Sequence, residues 1–153
     1  MMPRIAGVIW PVARNIKLAL GKSTQLLNAQ LVHAVELTGG TTGAQLRDDL
    51  HIPHAELVLR KGYHRDIDSY SAFYENDRTT HTGLAGYLRE RGFRRVFIAG
   101  LAFDFCVRFS AEDAKREGFE VTVVACRGIG IDRSVLATRQ ALAALGIALQ
   151  AES

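Results

Sequence analysis

The chain has 153 residues, 48% of them hydrophobic and 23% charged, with a net charge of +3 at neutral pH. This is the composition of one folded domain with a sizeable core, and it excludes a disordered or low-complexity chain. No apolar run is long enough to span a bilayer, no secretory pattern opens the sequence, and two cysteines make no disulfide scaffold, so free thiols in the cytoplasm are expected.

The charge is uneven. Residues 1–47 hold five Lys/Arg (Arg4, Arg14, Lys17, Lys22, Arg47) against one acid, Glu36, while the remainder balances fourteen against fifteen. A basic arm for nucleic acid is one reading, but the charges are sparse and not interleaved with aromatics, so no nucleic-acid partner is expected. A segment of different origin is the other reading.

In chain order, "RIAGVIW" (4–10) predicts a short strand, and residues 15–37 have a loosely helical apolar spacing broken by Gly21. "TGGTTG" (38–43) is a loop by composition, and "AELVLRKG" (55–62) a buried strand ending at Gly62. "YHRDIDSYSAFYENDR" (63–78) has no clean period and predicts a structured loop. Residues 81–92 predict a helix stopped by Gly92, and "RRVFIAG" (94–100) a strand. A helix over 105–118, a strand over 119–125, a helix over 132–146 and a last strand over 147–151 follow. This alternation predicts an α/β fold: a parallel sheet in three layers, with helices on both faces. Ligands of such sheets sit beyond the C-terminal ends of the strands, where Lys61 and the segment around Cys106 both fall.

Cys106 lies at a predicted helix start, where unpaired amides favour a thiolate and are placed to hold an oxyanion. It is also a residue type that often only fills a core. Asp104, two residues earlier, reads as a helix cap rather than a base. Cys126 follows a strand with no turn-plus-helix after it and reads as structural. Of the histidines (33, 51, 54, 64 and 81), His51 and His54 have ligand-like spacing, but Pro53 separates them and no third ligand is near, so no metal site is assigned.

"RKGYHRDIDSYSAF", then "TGLAGYLRERGFRRVFIAGLAFDFCVRFSAEDAKREGFEVTVV" and "ACRGI", resemble the isochorismatase-like cysteine hydrolases, and within them the nicotinamidase/pyrazinamidase group. The resemblance runs from about Thr42 to the C-terminus. It implies hydrolysis of nicotinamide to nicotinate and ammonia, with Cys106 as the nucleophile that forms a thioester and Lys61 as the triad lysine. It further implies an oxyanion hole from the backbone amides of Ala102 and Cys106, and a ring pocket bordered by Tyr70 and Phe103. The expected partner is a small nicotinamide-like amide, with no membrane.

The family's first strand ends in an Asp that shuttles the proton; here no Asp precedes Asp48. The family also uses a divalent metal (zinc, iron or manganese), and its Asp-x-His ligand segment is not found. Residues 1–41 therefore form an atypical segment ahead of a hydrolase domain over 42–153, too short for the family's first strand, helix, second strand and metal loop, so the N-terminal strand region is expected to be incomplete. A missing strand would leave exposed edges that favour a homo-oligomer. Two functions follow: an impaired nicotinamidase-like amidohydrolase, with Glu36 or another subunit's residue standing in for the Asp, or an inactive remnant serving as an interaction or binding domain.

Overall fold

The computed structural model describes residues 4–9, 30–36, 55–62, 64, 66–100, 102–124 and 134–150. The elements are β1 (Arg4–Ile9), β2 (Gln30–Glu36), β3 (Ala55–Lys61), α1 (Leu84–Glu90), β4 (Phe93–Ala99), a π-helical turn (Phe103–Val107), α2 (Arg108–Arg116), β5 (Glu120–Val124), α3 (Ser134–Ala144) and β6 (Ala148–Gln150). All the strands pair in parallel in one sheet of order β3-β2-β1-β4-β5-β6. The fold is α/β, as the alternation of elements predicts.

Two expectations about the N-terminal part are corrected. Within the segment read as helical, Gln30–Glu36 is a strand, lying between β1 and β3. "QLVHAVE" has apolar residues at both alternating positions (Leu31 and Val35, Val32 and Ala34), as an inner strand of a parallel sheet does, which hides its period of two. The first forty residues also do hold two strands: β1 occupies the middle of the sheet, in register with β4 from Ile5↔Arg95 to Ile9↔Ala99. Residues 10–29 and 37–54 lie outside the described residues, and with them any helices joining β1 to β2 and β2 to β3.

On the other half the chain steps outward from β4 to β5 to β6 with a helix in each crossover. The predicted glycine stops hold: Gly92, Gly118 and Gly146 follow α1, α2 and α3, all at positive φ. Leu84 and Leu88, one turn apart on α1, meet Val96 and Ile98 of β4, with Val107, Ala111, Ala114 and Leu142 completing the fully buried core. Burial of each large aliphatic side chain contributes about 1.5–3 kcal/mol. This core fixes the end of β4 and the turn after it, which carries Cys106.

The strand order reverses between β1 and β4, and parallel sheets open a crevice at the carboxyl ends of their strands at such a point. β3 stands three strands away from β4, a gap of about 14 Å at the usual strand spacing. A side chain at the end of β3 reaches that crevice only if it is long and aimed inward.

Candidate active site

Lys61 ends β3, and Gly62 follows at φ 67, a left-handed conformation that turns the chain at once. The side chain does not go to solvent. Lys61 is 1% exposed, and its Nζ donates to the Ser69 carbonyl at 2.7 Å and approaches Cys106 Sγ at 3.9 Å. Residues 45 apart in sequence thus meet at the carboxyl end of the sheet. An opposite charge within about 4–6 Å favours the charged partner, so a thiolate on Cys106 is supported by the ammonium.

Cys106 is 9% exposed and sits in the π-helical turn rather than in a regular first turn of α-helix. Val107 N–H reaches back five residues to the Ala102 carbonyl at 3.1 Å, and Phe105 N–H donates to the same oxygen at 3.1 Å. Those two amides are committed to Ala102. Of the amides expected to form an oxyanion hole, Ala102 stands at the N-cap of this turn and Cys106 lies within it. Such turns often mark functional sites, because the extra residue re-aims the side chains.

Asp104 does not cap the helix. Ala102 holds the N-cap position with no side-chain cap, and buried Asp104 accepts a hydrogen bond from the Ser134 hydroxyl, tying the turn to the first residue of α3. The expected cap is thereby corrected: Asp104 lies inside the turn, after the N-cap position, with one carboxylate oxygen on the next helix.

Of the ring-pocket residues, Tyr70 packs by its ring against Phe105 (5.8 Å between centroids) and Phe109 (5.4 Å). Phe103 is buried, and the Arg139 guanidinium of α3 lies over its ring at 5.4 Å. Sequence reasoning missed Phe105 and Phe109, which carry the aromatic contact to Tyr70. It also missed Ser110, whose hydroxyl donates to the Cys106 carbonyl at 2.7 Å and accepts from Ala72 N–H at 2.9 Å. Ser110 lies one turn after Cys106, so helical spacing was a usable signal for it. Arg78, at φ 64, closes the loop from outside, with its guanidinium 5.4 Å from the Phe109 ring centroid and 3.5 Å from buried Asp113.

Among the described residues no three of His, Cys, Asp and Glu cluster closely enough to hold a metal ion. His81 instead packs its ring on Tyr74 at 4.5 Å, and His64 is exposed. Cys126, His51 and His54 lie outside the described residues. No helix among the described residues is long and apolar enough to cross a membrane.

The isochorismatase domain family matches residues 11–152. A nicotinamidase from Acinetobacter baylyi is 49% identical over 110 residues, covering 71% of this chain and 51% of the relative. The chain therefore spans about half the length of that relative. A nicotinamidase/pyrazinamidase structure from Acinetobacter baumanii superposes with a TM-score of 0.84 at 29% identity, covering 99% of this chain and 98% of the other. The L. infantum PnC1 structure in complex with nicotinate gives a TM-score of 0.82 at 29% identity, over 96% and 92% of the two chains.

Proposed function

Because this chain belongs to the isochorismatase family, we propose that it is a nicotinamidase-like amidohydrolase, impaired by the loss of its proton-shuttling Asp, that turns nicotinamide into nicotinate and ammonia through Cys106. The observation that carries this reading is the Lys61 ammonium 3.9 Å from the Cys106 sulfur at the carboxyl end of a parallel sheet.

The Cys106 thiolate adds to the amide carbonyl carbon, and the charge passes to the carbonyl oxygen. The backbone amides of Ala102 and Cys106 receive that oxyanion, an arrangement worth about 10²–10³ in rate per donor in acyl transfer. The C–N bond breaks, ammonia leaves with one added proton, and a thioester remains. Water then cleaves the thioester, releasing the carboxylic acid and restoring the thiol. Tyr70, braced by Phe105 and Phe109, offers an aromatic wall to the pyridine ring. The chemistry needs a reduced thiol, in keeping with a cytoplasmic place in pyridine nucleotide salvage.

The weak step is protonation of the leaving ammonia. β1 ends at Ile9, and no Asp occurs before Asp48. Losing one acid/base group costs about 10²–10⁴-fold in rate. Glu36 is paired in register with Lys61 across β2 and β3, which brings a carboxylate-bearing residue to the same sheet end.

The test is ammonia release from nicotinamide by the full chain and by Cys106→Ala. Slow release that disappears with the cysteine supports the enzyme. No release from a chain that melts cooperatively supports the inactive remnant instead.

A further inference from the structure

Lys61 is held at both ends by a single loop. Its ammonium donates to the carbonyl of Ser69 at 2.7 Å. Its backbone neighbour, Gly62, donates its N–H at 3.3 Å to Oε1 of Glu75. Glu75 is only 4% exposed, and its second carboxylate oxygen has no hydrogen-bond partner among the described residues. A buried carboxylate so placed is costly unless its hydrogen bond does something useful.

Its own position is over-determined. Glu75 N–H donates to the Thr80 carbonyl at 2.9 Å, and Arg78 N–H donates to the Glu75 carbonyl at 3.0 Å. Asn76 N–H donates to the Asp68 carbonyl at 2.8 Å, and the Asn76 side chain accepts from Tyr70 N–H at 3.1 Å. Ser69, which receives the lysine, is therefore tied to Glu75 through the residues on either side of it. Ser110 fastens the same loop to the Cys106 carbonyl through Ala72.

We propose that Glu75 is the positioning residue for Lys61: its carboxylate clamps the Gly62 turn and so holds the ammonium against Cys106. This rests on the reading of Cys106 as a thiolate nucleophile. The role is that of a hydrogen-bond acceptor, so Gln serves in place of Glu. Among the described residues, Lys61 from β3 faces the sulfur, and Asp104, two residues earlier in the same turn, is bonded to Ser134 of α3. A change at Glu75 reaches the thiol through Lys61.

The readout is the pH profile of Cys106 alkylation by iodoacetamide in the full chain, followed by mass spectrometry on the Cys106 peptide. Lys61→Ala is expected to raise the midpoint by about one pH unit, as loss of a close opposite charge does. Glu75→Ala is expected to raise it equally, Glu75→Gln to leave it within about 0.3 of wild type, and Glu75→Ala in a Lys61→Ala background to add nothing. Glu75→Met, which keeps the volume but removes the acceptor, gives the same rise and stands in if the alanine variant does not fold. A wild-type midpoint in Glu75→Met or Glu75→Ala, with Lys61→Ala shifted, overturns the positioning role alone. A shift in Glu75→Gln matching that in Glu75→Met or Glu75→Ala overturns the acceptor role. An unshifted Lys61→Ala removes the thiolate reading beneath both.

Discussion

The two ends of α2 meet the same loop in opposite ways. At the end that follows Cys106, a buried lysine stands 3.9 Å from a thiol, and the Ser69 hydroxyl and one Glu75 oxygen are buried without hydrogen-bond partners among the described residues. At the far end, Glu117 accepts from the Tyr74 hydroxyl and from Arg89, whose guanidinium also donates to the Glu117 carbonyl at 2.9 Å. The second end is a satisfied network. The first leaves polar capacity unused and a charge facing a weak partner, a pattern typical of sites that pair fully only with a ligand or along a reaction. On the proposed function, the contrast sets chemistry at one end of the helix and anchoring at the other.

Substitutions at the two ends should separate activity from stability. Cys106→Ala should have the largest effect, bringing ammonia release from nicotinamide to background with little movement of the thermal midpoint. Lys61→Met should lower ammonia release about 100-fold or more, measured at saturating amide. The loss of rate is the diagnostic reading, because removing one partner of a buried pair also costs stability. A marked fall in stability without loss of rate would reverse the assignment of the two ends.

Glu117→Ala should do the opposite. It removes the acceptor for Tyr74 and Arg89 and should cost about 2–3 kcal/mol in urea unfolding while leaving Cys106 alkylation unchanged. Tyr74→Phe should cost about 1 kcal/mol. Its pH dependence follows from the pair. The Tyr74 hydrogen bond, ahead of the Arg89 charge, holds the Glu117 carboxylate below its ordinary range, and bonding to Glu117 raises the Tyr74 phenol. A depressed carboxylate stabilises the fold above its unfolded value, and that stabilisation is lost as pH falls through the folded one; a raised phenol stabilises it below its unfolded value, and that is lost as pH rises through the folded one. The gap between wild type and Tyr74→Phe should therefore be full between about pH 5 and 10 and close outside that window. A gap that is flat from pH 3 to 8 would rule out this coupling.

Much of the half around Cys106 is legible in the sequence. β3, β4, β5 and β6 fall within a residue or two of their predicted spans, because short apolar stretches bounded by glycine leave little ambiguity. Lys61 and Cys106 are both visible as residues following strands, but their approach depends on strand order, which local pattern does not encode. β2 is misread because a strand apolar on both faces has no period to distinguish it from a short helix. Glu75 and Ser110 escape for another reason. A carboxylate in a polar loop and a serine on a helix carry no mark of burial, and only the packing of the loop onto α2 makes them matter.

The width of the turn at Phe103–Val107 has a consequence for how this segment can tolerate change in length. The bond from Val107 to Ala102 spans one residue more than an α-helical bond does. Deleting a single residue there would restore ordinary helical winding and rotate everything before the cut by about 100° about the axis. Ala111 and Ala114 would keep their seats, yet the sulfur would face a different neighbour. In this region a loss of one codon should therefore be harsher than most replacements on both turnover and melting temperature, because Phe103 and Val107 are buried in the core.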